Sequence, residues 1–225
     1  MNDPAGSAER AKIDPRLARR ERRRDRTREE ILDAARKVLL QNGVAAMTLE
    51  AVAKEAGMSK TGLYYYFPSK DALVFELVFG VIERQARRVH DAVEKAGDGG
   101  DALRAIIRET VQTFAPRLDD FRLAFLFGQV ADAGAVRWNA EQFSRIRPLN
   151  DLCLAGAADM LREERSKRSG RARVEPRLLA FLAYLAAIGL LTMKGMVEQL
   201  DDPIRFSDEQ LIEGLGQVFE AAARA

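Results

Sequence analysis

Between Thr48 and Lys70 the chain carries two helical runs, each too short to be stable alone. Thr48 precedes Leu49-Glu50-Ala51-Val52-Ala53, and Ser59 precedes Lys60-Thr61-Gly62-Leu63-Tyr64-Tyr65-Tyr66-Phe67. Both residues suit helix N-caps, because a hydroxyl oxygen there accepts from a backbone amide of the first turn. Gly57 makes the turn between them. An isolated helix below about 12 residues is marginal in water, so the pair must pack on something. Ile31, Ala34, Ala35, Val38 and Leu39 recur at helical spacing and provide that surface, with Gly43 placed to end their helix. The pattern is a helix-turn-helix.

On the second short helix Lys60, Thr61 and Tyr64 fall on one side, opposite Leu63 and Phe67. An ammonium, hydroxyls and aromatic rings on so short a helix suit contacts to phosphates and base edges. A major groove about 12 Å wide admits a single helix, and this motif delivers its second one.

The rest of the chain reads as helix after helix, with no run of alternating strands and no internal repeat. Pro68-Ser69 restarts the chain, and Ser69 is placed to cap a long helix to about Lys95 with Leu73, Leu77, Val81 and Val89 as its apolar stripe. Further helices are expected over 101–114, 119–131 and 138–164, the last kinked or divided by Pro148. The basic segment 165–175 reads as a flexible loop. Pro176 suits the first turn of a helix ending near Leu200, and Ser207 with Gln210 forms a capping box for the last one, striped by Leu211, Ile212, Leu215, Val218 and Phe219. The expected fold is all-α. A basic flexible tail (1–24), able to extend the first helix, and a helix-turn-helix domain (25–70) precede a larger helical domain (71–225).

The segment Ile31 to Leu77 resembles the DNA-binding domain of TetR-family repressors. The resemblance rests on Thr48 before Leu-Glu-Ala-Val-Ala, the Ala56-Gly57-Met58-Ser59 turn, and Leu63-Tyr64-Tyr65-Tyr66-Phe67 followed by Ser69-Lys70-Asp71-Ala72-Leu73. It implies roles for DNA contact. Thr48 would meet a phosphate; Ser59, Lys60, Thr61 and Gly62 would begin the recognition helix; Tyr64, Tyr65 and Lys70 would bind the backbone. Many relatives have histidine where this chain has Tyr66, so that ring either packs or touches DNA.

The same resemblance implies a layout of about nine helices, whose larger domain binds an effector and dimerises. Leu178 to Val197 is apolar almost all round, with Gly189 and Gly195 permitting close approach, and pairs with the helix 207–223. The helices 176–200 and 207–223 are thus expected to build a homodimer. Phe114, Phe121, Phe125, Trp138 and Phe143, together with Phe127, are expected as walls of a pocket for a small, largely apolar effector, although aromatics at helical spacing also make ordinary core. The implied partner is a palindromic duplex operator, released when the effector binds.

Charge agrees with a polyanionic partner at the front. Residues 1–70 hold 15 Lys/Arg against 10 Asp/Glu, and the remainder 21 against 24. Ten of the basic residues lie between Arg10 and Arg28; they either follow DNA or simply solubilise the chain. Cys153 stands alone, which excludes an intrachain disulfide and fits a reducing cytoplasm. It reads as a small core residue or, less simply, a redox thiol. The front of the chain lacks the apolar core of a secretory signal. The longest apolar run, Leu178 to Met193, is 16 residues, short of the roughly 20 that span a bilayer. No cofactor is expected. One histidine, His90, argues against a multi-histidine metal site. An enzyme, or a helical adaptor that does not bind DNA, is the competing class. Neither a nucleophile elbow nor a nucleotide-binding fingerprint is present for the first.

Overall fold

A computed structural model describes residues 15–126, 138–167, 174–197 and 206–224. Among them every regular element is helical. Residues 1–14, the end of the helix expected over 119–131 with Phe127, most of the 165–175 loop and the linker around Pro203 lie outside the described residues. So do the surroundings of Gly195.

The chain separates into two compact units, Met1–Leu73 and Val74–Ala225. In the first, α1 (Pro15–Ala46) is longer than the apolar spacing required. Residues 15–24, read above as part of a flexible tail, are helical. Pro15 suits a first turn, and the arginines, Glu21, Leu17 and Ala18 are good helix formers. The helical geometry breaks at Gly43, where φ is 70°. Ile31, Ala34, Ala35, Val38 and Leu39 are buried on this helix. They form a core with Met47, Leu49, Val52, Ala53, Leu63 and Phe67 from the segments that follow. α1 packs on α2 (Leu49–Glu55), and α2 on α3 (Lys60–Tyr66). Fully burying a side chain of the Leu or Phe type is worth roughly 1.5–3 kcal/mol, enough for several such residues to hold two seven-residue helices.

α4 (Lys70–Val93) opens with the Ala72 amide donating to Ser69 Oγ at 3.1 Å, and its first turn belongs to the first unit. Leu73, Leu77, Val81 and Val89 are all buried, as their spacing predicts.

In the second unit α5 (Gly99–Phe114) is the central element. It packs against α7 (Ala140–Ser166), α8 (Pro176–Val197) and α9 (Asp208–Arg224). Gly99 allows the approach of α7, since a Cβ there would lie 2.5 Å from Leu161 Cδ2. Arg104 on α5 spans Glu213 (2.8 Å) and Glu220 (2.6 Å) on α9. A single 3-10 turn, Ala115–Arg117, leads into the short α6 (Leu118–Phe121) and a π-helical turn, Arg122–Leu126. Of the two expectations for Pro148, a kink or a division, the second does not hold, since α7 runs unbroken through it. Proline lacks an N–H for the ladder, but buried Leu149, Cys153, Leu154, Ala157 and Leu161 on the same helix favour its continuing. An Asn139–Gln142 capping box starts α7, and the expected Ser207–Gln210 box starts α9.

Pro176–Lys194 is long and apolar enough to cross a membrane by length and composition, although the uninterrupted apolar run is shorter. In this fold it packs on α5 and α7 through Leu179, Ala180, Ala183, Ala187 and Leu191. The opposite face, carrying Leu178, Leu182, Leu185 and Met193, is exposed in the single chain, so burial is one-sided rather than all round.

Candidate nucleic-acid interface

Each element of the interface is set by a local cap. Thr48 Oγ1 accepts from the Ala51 amide at 3.1 Å and starts α2; Ser59 Oγ accepts from the Gly62 amide at 3.1 Å and starts α3. Between them Gly57 sits at φ 64°, a left-handed turn that glycine adopts without strain. Leu63 and Phe67 are buried, which fixes the rotation of α3 and turns Lys60, Thr61, Tyr64 and Tyr65 outward. Tyr64 is 44% exposed and Tyr65 68%. A phenol held so far in water by a seven-residue helix makes little contribution to the core.

Thr48, Lys60, Tyr64 and Lys70 line one hollow of about 530 Å³, together with Glu50 and Ser69. Thus four of the eight residues expected at DNA converge, from α2, α3 and the start of α4. Both cap hydroxyls, Thr48 and Ser59, accept from backbone and keep their own protons to donate. Ser59 and Thr61 are exposed outside the hollow. Gly62 has a local reason to be small, because a Cβ there would crowd Ser59 Oγ at 3.2 Å. Tyr66 is half-buried and meets Tyr65 edge-on, with ring centroids 5.3 Å apart.

Three features escaped the sequence reading. Glu50 forms a salt bridge to Lys60 across the turn. The hydrogen bond and charge of Lys60 hold the Glu50 carboxyl below its usual value, and Glu50 in turn lifts the Lys60 ammonium above its own. Arg24 lies 5.9 Å from the Tyr65 ring centroid, and Arg28 lies 5.2 Å from that of Phe67. The basic stretch of α1 therefore runs beside the aromatic end of α3. No short-range periodicity marks these pairs, which join residues from ten to forty-one positions apart.

The surface is basic, hydroxyl-rich and carried on a helix of groove-fitting width, with its apolar side anchored. Residues 31–77 match the family model described as bacterial regulatory proteins, tetR family. Over this segment the chain is similar to the tetR family. The HTH-type transcriptional regulator UidR of Escherichia coli K12 is 30% identical over 91 residues, 40% of this chain and 46% of UidR, so the match spans about half of that relative. The transcriptional activator FasR of Mycolicibacterium smegmatis is 25% identical over 77% of this chain and 78% of its own. The all-helical fold matches FadR of Bacillus subtilis, solved with stearoyl-CoA, at a TM-score of 0.67 and 17% identity, over 86% of this chain and 98% of that one.

The five aromatic residues expected around an effector fall into two clusters. Phe114 and Phe121 are fully buried and pack with Phe125, which also meets Tyr184 at 6.4 Å between centroids. Trp138 joins Phe75 and the exposed Phe143 instead, and Arg145 lies over Phe75 and Phe79 while pairing with Glu76. A cavity of about 410 Å³ in the second unit is lined by none of the five; Cys153, Leu154, Leu178, Phe181 and Tyr184 form its walls. Among the described residues no group of His, Cys, Asp or Glu could hold a metal ion.

Proposed function

We propose that this chain is a cytoplasmic, homodimeric transcriptional regulator that binds a near-palindromic duplex operator through α3 and leaves it when a small, largely apolar effector binds the second unit. The observation that carries the reading is the outward placement of Lys60, Thr61 and Tyr64 beside Thr48 and Lys70. On this reading α3 enters the major groove, Tyr64 and Lys70 grip the backbone, and Lys60 with Thr61 reads base edges. A catalytic role has no support: the relatives matched are named as regulators.

Dimerisation is supported by the apolar face that a lone chain leaves in water. Leu182, Leu185 and Met193 on α8 and Val218 on α9 are 40–64% exposed. Apolar surface of that extent on a soluble chain marks an interaction site. Two copies would place their recognition helices in successive major grooves about 34 Å apart. FadR, solved with stearoyl-CoA, supports the view that a fold of this kind can take a ligand with a long apolar portion. The effector would favour a conformation in which the two recognition helices no longer match adjacent grooves, with α4 as the lever. A full switch requires about 5.5 kcal/mol of differential binding.

Selection of bound sequences from random duplex DNA tests the function. A palindrome with half-sites one helical turn apart is expected, and Tyr64→Phe combined with Lys70→Ala should abolish retention while helicity is unchanged. Recovery of no sequence at low salt would defeat the proposal.

A further inference from the structure

The cavity between α7 and α8 has walls of two kinds. Leu154, Leu178 and Phe181 are apolar, and Asn150, Cys153 and Tyr184 add neutral polar groups to the lining. The charges at its mouth are already matched. Arg177 pairs with Asp151, while Glu175 accepts from the Leu178 amide at 2.8 Å and faces Arg162 at 3.9 Å. A charged ligand would therefore enter without a counter-ion that is not already engaged, at a large desolvation cost.

The thiol and the phenol both stay protonated. Burial pushes the Cys153 thiol up to about 12, and burial likewise raises the Tyr184 phenol. Cys153 donates to Gln85 Oε1 at 3.8 Å, and the Gln85 amide donates to Thr110 Oγ1 at 3.1 Å. Gln85 and Thr110 are fully buried, so the cavity wall on α7 is tied by hydrogen bonds to α4 and α5. Tyr184 remains as a proton donor toward a bound molecule. The volume falls within the roughly 300–1,000 Å³ typical of small-molecule sites.

We propose that this cavity, rather than the aromatic clusters, is the effector site, and that it takes an uncharged, mostly apolar molecule whose hydrogen-bond acceptor meets Tyr184. The inference rests on reading the chain as an effector-responsive regulator, and it specifies the site and ligand class that reading leaves open.

The test titrates the full chain with the neutral aromatic ketone 6-propionyl-2-(dimethylamino)naphthalene, whose emission reports an apolar, hydrogen-bonding site. Saturable binding of one molecule per chain is expected, at least tenfold tighter than that of the anion 1-anilinonaphthalene-8-sulfonate. Leu154→Trp, which fills the cavity, should weaken it at least tenfold. Phe181→Arg should do the same from an exposed position that folding does not depend on. Tyr184→Phe should weaken it roughly threefold to tenfold, the loss of one hydrogen bond. Absence of saturable binding, preference for the anion, or undiminished binding in folded Leu154→Trp and Phe181→Arg would overturn the proposal. So would binding that falls as protein concentration rises, because a second copy would then occupy the cavity. Operator retention is measured in parallel. Retention without ketone binding defeats only the cavity assignment, whereas ketone binding without retention on any duplex defeats the regulator reading.

Discussion

Glu50, near the start of α2, holds the ammonium of Lys60, the first residue of α3, in a salt bridge inside the hollow that also contains Thr48 and Lys70. The carboxylate faces the side from which phosphate would approach. It aims Lys60 and at the same time repels the polyanion. Both side chains are more than half exposed, so water and salt screen the pair and it adds little to folding. Its consequence lies in binding. Glu50→Gln removes one negative charge and releases Lys60, so affinity for unrelated duplex should rise about threefold or more at low salt, by the logic of phosphate neutralisation. The gain should shrink between 50 and 200 mM salt as screening shortens the reach of the charge. Fluorescence anisotropy with a non-operator duplex measures this, and unchanged or weaker binding would refute the role given to Glu50. The pair itself should not titrate near neutrality. Glu50 has a lowered value, so its contribution is present above 4.5 and is lost as pH falls through that lowered value. Lys60 has a raised one, so its contribution is present below 10.5 and is lost as pH rises through it.

Cys153 offers a second titration with the opposite sign to Glu50. Desolvation raises its thiol from 9.0 to about 12, so the neutral form is favoured by folding. The associated stability is complete below 9.0 and is lost as pH climbs toward 12. At pH 8 the thiolate fraction should be roughly a thousandfold lower than in the unfolded chain. Reaction with a disulfide reagent at pH 8 should be slower in native protein than in urea by a comparable factor. A native rate within tenfold of the unfolded one would show an accessible, reactive thiol and revive the redox reading.

What could be read from the sequence was what local chemistry decides. Thr48, Ser59 and Ser207 act on amides three residues away, and the stripe Leu73, Leu77, Val81 and Val89 needs only the helical period. The outward side of α3 followed from the inward side, since Leu63 and Phe67 fix the rotation. The Glu50–Lys60 bridge depends on how the turn folds α3 across α2, and no linear spacing encodes that. The walls of the proposed effector pocket are harder to read for a related reason. Phe114 and Phe121 were identified as large and apolar, but whether a ring faces a void or another ring is settled by three helices at once. Residues 15–24 continue α1, as most of them are good helix formers, although a basic, solvent-exposed run also reads as a tail.

Gly57 and Gly80 should respond to alanine with opposite signs. Gly57 holds φ 64°, and an L side chain in that left-handed region costs roughly 1–2 kcal/mol. Space is not the obstacle, as nothing lies within 4 Å of a Cβ placed there. Gly80 is inside α4, where a Cβ would make only an ordinary 3.5 Å contact with Arg84. Its replacement should stabilise by about 0.5–1 kcal/mol through helix propensity. Thermal denaturation followed by circular dichroism should show a lower midpoint for Gly57→Ala and a higher one for Gly80→Ala. Equal shifts would mean that the turn between α2 and α3 does not require its left-handed glycine.

The exposed stripe on α8 and α9 predicts how oligomeric state and operator affinity move together. Leu185 is 45% exposed and Val218 64% exposed in the single chain, and neither contributes to its buried core. Leu185→Glu with Val218→Glu should therefore leave the fold intact while burying two unpaired carboxylates in any dimer formed through this face. Charges without partners in a desolvated contact cost several kcal/mol, enough to dissociate a dimer at micromolar concentration. Sedimentation should then give half the wild-type mass. Because a dimer gains its operator affinity by binding the second half-site intramolecularly, the monomer should bind the palindrome on the order of a hundredfold more weakly. Its affinity for a single half-site should be unchanged, since Lys60, Thr61, Tyr64 and Lys70 all lie in the unit that ends at Leu73. If the doubly substituted chain still sedimented as a dimer, the interface would have to be sought on another face, and the apolar stripe of α8 would need a different occupant.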